Sequence, residues 1–598
     1  MAYIRTRLLA VLLAALSLGL LGCQTQEEDT APETDSLLEI QESQTFQDTL
    51  ATETENLVKL CKVWGYTKYW HPAFLLGKKG WDEELLTLIP QLREMSTAEE
   101  VNELLHNWFV SLGEIDYESR APVVNWSTAA EDEIVVIADT SWTSDATYLG
   151  EALAADFALF PEALPNVSRS KAPMQLTKSV LSTYERALAF FANEGLPDPK
   201  YDDAGFRLLG LFRLWNAIEY YFPYTDTLEQ NWEDTLAEYI PQMLEGEDPE
   251  SYEQTLASMA FLLHDPHVTV YTASGNTSTG LYYQAKLGTY YLPVPLAVAE
   301  GKLVVSDSVE ECPLETGDIL LSINGTDIEK RIEECKQFNA YPREDAVLNR
   351  MRYTITLSQS EDIEVSVLRT GVEMTYSVSG IQSMPVEKNA PQVTHQILEG
   401  NLGLINPALC TLSEVDTIMA NLRETDGLII DLRQYPGDDG GGLFGLARYF
   451  GVSQTPFAVY AVPSIAVPGA YVKETYTPVS YWASGGASYP YNKPVAVLMD
   501  NRGTQSNAET TVQMLRMAEN VVTMGDNSAG AGGHIVFLPI PGPVVVQFSS
   551  NRFYTIDGKE RYRTGITPDI PVKPTIQGIK EGRDEVMEAA IEYIKSKS

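Results

Sequence analysis

"KPVAVLMDNRGTQSNAETTVQMLRMAE", residues 493–519, is the stretch whose reading decides the fold. Its apolar run reads as a buried strand, the polar residues after it as a tight loop, and the remainder as a helix that begins at Ser506. Upstream, "GLIIDLRQYPGDDGGG" (427–442) is a second buried strand running into a glycine-rich turn. Downstream, "NVVTMGDNSAGAGG" (520–533), "VVVQFSSNRFYTIDG" (544–558) and "RYRTGITPDIPV" (561–572) continue the pattern. Apolar strands alternating with helical segments predict an α/β core over residues 390–598. Ser506 itself has two readings here. With Glu509 three residues on it forms a capping box, which satisfies N–H groups that the helix cannot; alternatively it is a nucleophile.

Before this core the chain changes character twice. Residues 284–385 alternate β-branched and polar positions between glycines. Within them "CPLETGDILLSINGTDIEKRIEEC" (312–335) resembles the centre of a PDZ domain, with Gly317 and Gly325 at turns and Ile319, Leu321 and Ile323 alternating inward. The resemblance implies a β domain that binds extended peptides, often C-termini, by strand addition. Further upstream lies a repeat. "LVKLCKVWGYTKYWHP" (57–72) aligns with "RLLGLFRLWNAIEYYFP" (207–223), placing Trp64 on Trp215, Tyr69 on Tyr220 and Pro72 on Pro223. The same offset places Trp81 on Trp232 and Pro90 on Pro241. A constant offset over two motifs predicts two copies of one helical unit, at 51–200 and 201–283, whose aromatic residues form core. Only the second copy ends in "LLHDPH", with His264 and His267.

The N-terminus is a separate object. Arg5 and Arg7 precede "LLAVLLAALSLGLLG" (8–22), an apolar run short for a membrane span. It ends in Leu-Leu-Gly-Cys, which resembles a bacterial lipobox, so residues 1–22 are expected to be a lipoprotein signal peptide and Cys23 the lipidated residue. Residues 23–50 then read as an acidic tether, and the location as the bacterial cell envelope, facing outside the cytoplasm. Acidic residues outnumber basic ones by 83 to 42, a net charge of −41. That argues against nucleic acid, which needs clustered Lys and Arg. Cys61, Cys312, Cys335 and Cys410 fit no zinc spacing, and the pairing of Cys312 with Cys335 stays open. Without a HExxH motif, P-loop or dinucleotide fingerprint, no cofactor and no metal is expected.

Four motifs in order, "DLRQYPGDDGGG" (431–442), "SNAE" (506–509), "GDNSAG" (525–530) and "GITPD" (565–569), resemble the catalytic domain of the C-terminal processing and tricorn-type serine peptidases. The resemblance covers nearly all of the mature chain. It implies a multidomain α/β architecture with a helical N-terminal repeat, a PDZ-like β domain and a catalytic core of the crotonase/Clp protease-like kind. It also implies an acyl-enzyme endopeptidase with a polypeptide substrate, in which Ser506 is the nucleophile. The processing peptidases activate their serine with a lysine, but Ala531 stands at that place and no lysine occurs between Lys493 and Lys559. The tricorn-like branch uses a histidine in a "D-S/G-H" motif, which His267 in "LLHDPH" matches, with His534 as a spare base. The resemblance assigns the oxyanion donors to the backbone N–H groups of Gly437 and Asn507. Tricorn-like enzymes carry a glutamate three residues before the glycine of "GITPD"; here that residue is Tyr562, with Glu560 two earlier, and either is a candidate third member. A histidine base predicts activity that falls below pH ~6.5. The alternative is a catalytically inactive, peptide-binding lipoprotein on the same scaffold.

Overall fold

The computed structural model describes residues 33–115, 130–158, 160, 171–178, 187–272, 286–336, 343–387, 391–436, 444–464, 467–478, 487, 489–542 and 544–597. Cys23 and Gly437 lie outside the described residues. The chain divides into two compact units, Met1–Thr52 and Glu53–Ser598. In the first, residues 33–52 are helical, the opening part of α1 (Glu33–Trp70), so the expected tether is helix from Glu33 onward.

In the second unit the helical repeat appears as α1, α2 (Trp81–Arg93) and α3 (Ala98–Ser111), followed by α4 (Ala204–Tyr221), α5 (Trp232–Glu245) and α6 (Pro249–Phe261). One contact recurs in both copies: Trp64 Nε1 donates to Trp81 O at 2.8 Å, and Trp215 Nε1 to Trp232 O at 3.1 Å. Pro90 and Pro241 interrupt α2 and α5 at equivalent places. Equivalent residues also meet each other. A Cβ on Gly65 would lie 1.7 Å from Asn216 Oδ1, and the Tyr69 and Tyr220 rings sit 5.4 Å apart. The two copies therefore pack against each other about a local two-fold, and their aromatic residues are core, as the spacing predicts. Strand β1 (Ile134–Val136) leaves the first copy to pair with a strand of the catalytic region.

Strand β2 (Thr269–Tyr271) follows α6 directly. Next comes a small antiparallel β region: β3 (Leu296–Ala299), β4 (Lys302–Val305), β5 (Ile319–Ile323), β6 (Asp362–Arg369) and β7 (Val372–Ser379), in the order β7-β6-β5-β4-β3. It carries two helices, α7 (Ile328–Lys336) and α8 (Glu344–Met351), and its own apolar core. Cys312 and Cys335 are not joined in a disulfide.

The last third is the α/β core. Strands β8 (His395–Leu398), β9 (Leu402–Ile405) and β10 (Gly427–Asp431) begin the main sheet. Two strands of a second, antiparallel sheet follow, β11 (Ala458–Pro463) and β12 (Ala470–Tyr476). The main sheet resumes with β13 (Val495–Met499) and β14 (Val521–Gly525), between which α9 (Asn507–Leu515) is inserted. After β15 (Ile535–Ile540), β16 (Val544–Ser549) and β17 (Arg552–Thr555), β18 (Ile570–Pro571) closes the main sheet and α10 (Glu585–Lys597) packs on it. The main sheet runs β8-β9-β10-β13-β14-β18, parallel except at β8. Every residue of β13 is buried, as a central parallel strand requires. The second sheet is β1-β12-β11-β17. A third, β15-β16-β2, joins β2 to the catalytic region, and its inner residues Val536, Leu538, Val544, Val546 and Phe548 belong to the core of the helical repeat. The third sheet thus shares the core of the helical region, while the main and second sheets pack around apolar clusters of their own.

The crossing at Gly65 has no room for a side chain. Gly65→Ala is expected to displace the Asn216 amide from Cys61 O (3.1 Å) and Phe212 O (2.9 Å) and to cost about 1–3 kcal/mol of stability, read as a lowered thermal midpoint.

Candidate active site

Ser506 stands where the loop after β13 turns into α9, at the carboxyl end of the parallel sheet, the usual ligand-binding end of such sheets. The loop is tightly fixed. The half-buried Asp500 carboxylate accepts the N–H groups of Arg502 (3.0 Å) and Gly503 (2.7 Å), and Thr504 Oγ1 donates to Leu432 O at 2.9 Å. Gly503 passes so close to β10's end that a Cβ would lie 2.1 Å from Arg433 O, so only glycine fits. Ser506 then takes φ +48°, ψ −113°, a backbone conformation that costs a serine on the order of 1–3 kcal/mol. The Ser-x-x-Glu capping box is present in outline, but the Ser506 hydroxyl makes no cap hydrogen bond. Its return half does form: Ser506 N–H donates to Glu509 Oε2 at 3.2 Å.

Glu509 is the hub behind the nucleophile. Fully buried, it also accepts the N–H groups of Gly530 (2.9 Å) and Ala531 (2.7 Å) and the hydroxyl of Ser528. Ser528 Oγ in turn accepts Ile566 N–H at 2.6 Å. One carboxylate therefore ties the serine, the glycine-rich loop and the "GITPD" segment together. Burial raises its pKa against the lowering effect of these donors. Ala531 contributes only its backbone here, and no lysine is among the described residues that line the cavity in front of Ser506.

That cavity, about 400 Å³, is lined by Ser506, Asn507, His267, Arg350, His534 and Ile535 among others. The structure thus brings the expected nucleophile and base to one space. His267 arrives there because β2, two residues later, pairs with β16, with Thr269 opposite Gln547. Its Nδ1 lies 2.9 Å from Ser549 Oγ. Ser549 donates that hydroxyl to Asp265 Oδ1 at 2.9 Å and its N–H to Asp265 Oδ2 at 2.6 Å. A hydroxyl that gives its proton to a carboxylate can only accept from the imidazole, which fixes the proton on Nδ1. Nε2 is left as the basic atom, buried and without a hydrogen-bond partner. The Asp265–Ser549 pair was not visible in the sequence, although Asp265 stands in the same "DPH" motif. Ser549 is 282 residues away and carries no local signal.

The other candidates are placed as follows. Asn507 is the first residue of α9, where an N–H has no acceptor within the helix. His534 lines the opposite wall, its ring centroid 5.5 Å from that of Tyr460. Tyr562 stacks on Tyr224 at 3.5 Å, with its hydroxyl buried and unpartnered. Glu560 lies 3.8 Å from Arg552 Nε. Neither is hydrogen bonded to His267; that position belongs to Ser549.

Residues 409–572 match the model of peptidase family S41. The chain is accordingly a serine peptidase, and the matched segment is the central part of its α/β core; the match includes Ser506 and leaves His267 outside it. No curated relative matches the chain. Among solved structures it is similar to mature CPAF, at 14% identity over 66% of this chain and 97% of that one, with a TM-score of 0.49. It is also similar to the photosystem II D1 C-terminal processing protease, at 17% identity over 64% and 98%, with a TM-score of 0.39. A third is a protein of Parabacteroides merdae ATCC 43184 described as a peptidase, at 16% identity over 67% and 98%, with a TM-score of 0.42.

Burial is the largest influence on His267 and lowers its pKa; Asp265 opposes it and the Arg350 charge adds to it. A base that stays neutral to lower pH keeps its activity to lower pH. The acid limb of kcat/KM is therefore expected below the ~6.5 of an ordinary histidine. Arg350→Gln, by removing a charge that disfavours the imidazolium, is expected to move that limb upward, as a pH–rate profile would read.

Proposed function

We propose that the chain is an exported, lipid-anchored endopeptidase that cleaves polypeptides through an acyl-enzyme formed on Ser506. The observation that carries this reading is the shared cavity of Ser506 and His267, with Nδ1 tied to Ser549 and Nε2 unpartnered. In the first step the Ser506 Oγ–H proton passes to His267 Nε2 as Oγ bonds to the substrate carbonyl carbon. The Asn507 N–H, with Gly437 as the second donor implied by the family, would receive the developing oxyanion, each such donor being worth roughly 3–4 kcal/mol. The C–N bond then breaks and the amine leaves with the proton from Nε2. Water, deprotonated by the same nitrogen, releases the acyl group and restores the serine.

Asp265 and Ser549 act as positioning residues in this scheme. Asp265 supplies the negative charge that favours the transient imidazolium, relayed through a hydroxyl, and neither Glu560 nor Tyr562 is needed for it. This bears on the inactive, peptide-binding alternative. Its support was the missing lysine and displaced glutamate, and the histidine–serine–aspartate chain fills both roles. The β region at 284–385 is read as a PDZ-like module that receives an extended segment or exposed C-terminus. Two or more acyl chains at Cys23, at roughly 0.8 kcal/mol per buried CH₂, would hold the enzyme at the envelope.

Fluorophosphonate labelling and casein cleavage by protein lacking residues 1–23 test the core of this reading. Wild type is expected to label and cleave, while Ser506→Ala and His267→Ala lose at least about 10³-fold in rate. Wild-type protein that does neither would sink the proposal. Ser549→Ala is expected to lower kcat on the order of tenfold to a hundredfold, with partial rescue by Ser549→Thr, whose hydroxyl can make the same relay.

A further inference from the structure

The offset that places Trp64 on Trp215 also places Lys62 on Arg213, Lys68 on Glu219 and Asp82 on Glu233. Two equivalent ion pairs cross between the copies, Lys62 Nζ with Glu233 Oε1 and Arg213 Nη2 with Asp82 Oδ2, both at 2.7 Å. Beside the Arg213 pair, Lys68 Nζ donates to Glu194 Oε1 at 2.7 Å, and Glu194 Oε2 lies 3.2 Å from Arg213 Nε. That half of the local two-fold sets two cations against two carboxylates. Beside the Lys62 pair, the counterpart of Lys68 is an acid, Glu219, and Asp139 adds a further carboxylate near it. With every group ionised, this half would set one cation against three carboxylates.

Glu219 stands in the last turn of α4 and is 7% exposed. Lys62 is committed to Glu233, and its ammonium also stands 4.8 Å over the Trp142 ring. The Asp139 carboxylate accepts Ser141 N–H at 2.8 Å, which lowers its pKa and keeps it charged. The other titratable neighbours are the Cys61 thiol on α1, the Tyr220 hydroxyl on α4 and the Tyr471 hydroxyl on β12, all held neutral by burial. Burial is also the largest influence on Glu219 and raises its pKa to about 8; Glu233 and Asp139 add to it, and Lys62 opposes it. A buried charge without a counter-ion takes up a proton rather than stay ionised. The place is a joint of the fold. Tyr220 O, next to Glu219, accepts Gly469 N–H at 3.0 Å, and Gly469 O accepts the N–H groups of Ile137 (2.9 Å) and Ala138 (3.2 Å). One glycine thus holds together the end of α4, the segment leading from β1 to Asp139, and the start of β12.

We infer that Glu219 is a proton-operated latch of the helical repeat: protonated, it lets the joint at Gly469 close, and ionised, it repels Glu233 and Asp139 and loosens that joint. The folded chain keeps the proton up to about pH 8, whereas the unfolded chain loses it near the ordinary 4.5. Between those values the folded state binds more protons than the unfolded one, so stability falls as pH rises. The contribution of Glu219 is therefore greatest in mild acid, declines from about pH 4.5 to about pH 8 and changes no further above that. The joint is one strand removed from the candidate active site, since β12 pairs with β11, whose Tyr460 lines the cavity of Ser506.

Thermal midpoints of the wild type and of Glu219→Gln, taken between about pH 5.5 and about pH 8.5, test the latch. Glutamine keeps the shape of the side chain and cannot ionise. The midpoint of the variant is expected to gain about 3 °C or more on that of the wild type across this range. Amide hydrogen exchange at residues 134–149, corrected for its intrinsic pH dependence, is expected to quicken over the same range in the wild type and not in the variant. Asp139→Asn, at an exposed position, removes one of the two repelling charges and is expected to gain about 1 °C on the wild type over the same range. It carries the test if Glu219→Gln does not fold. Differences between variant and wild type that stay constant with pH overturn the latch, and so does exchange at 134–149 that quickens equally in both.

Discussion

The site depends on one carboxylate, that of Asp265, closing on the N–H and hydroxyl of Ser549 at 2.6 and 2.9 Å. The contact terminates the pairing of β2 with β16, and so fastens the end of the helical repeat onto the edge of the catalytic region. Without it, His534 is the imidazole that remains among the described residues lining the cavity, in place of the absent lysine. With it, the imidazole has one orientation and one tautomer, and its second nitrogen is left without a hydrogen-bond partner. A buried, unpaired carboxylate would be costly; two donors from one residue satisfy it and make the junction specific.

Glu509 is its counterpart on the nucleophile's side. Both acids are buried, and both spend their oxygens on hydrogen bonds that join segments distant in sequence. Asp265 positions the base, and Glu509 positions Ser506 together with the loop where other peptidases of this kind keep a lysine. The capping box and the nucleophile are therefore not competing explanations of Ser-x-x-Glu. The glutamate holds the backbone of the serine, and the positive φ of Ser506 leaves the hydroxyl out of the cap.

These two hubs also explain what the sequence could disclose. Ser506 and its strand–loop–helix setting are local, set by an apolar run, a glycine at a close approach and a glutamate three residues on. The repeat was legible because one offset fixes Trp64 on Trp215 and Trp81 on Trp232, and the same indole contact recurs in both copies. His267 came from a short motif. Ser549 was hidden because a strand register, not a neighbouring residue, brings it to His267. Glu560 and Tyr562, the third members that motif spacing suggests, are placed by the fold against Arg552 and Tyr224. Segment boundaries misled for a related reason. The apolar faces of β15 and β16 read as part of the α/β core, yet they complete the core of the helical repeat.

That sharing of a core bears on how such a chain could regulate itself. The base comes from the helical repeat, the nucleophile from the α/β sheet, and the cavity's fixed charge from the small β region through α8. Three segments each contribute one chemical element: the helical repeat and the third sheet share an apolar core, while α8 is fastened to the catalytic loops by polar contacts. Arg343 on Ser528 O and Thr564 O, Asn349 on Asn501 Oδ1 and Asn501 on Asp345 O join α8 to the catalytic loops. A hydrogen-bonded junction of this size contributes on the order of 1 kcal/mol per bond. The β region is thus joined to the catalytic loops through a few hydrogen bonds of α8.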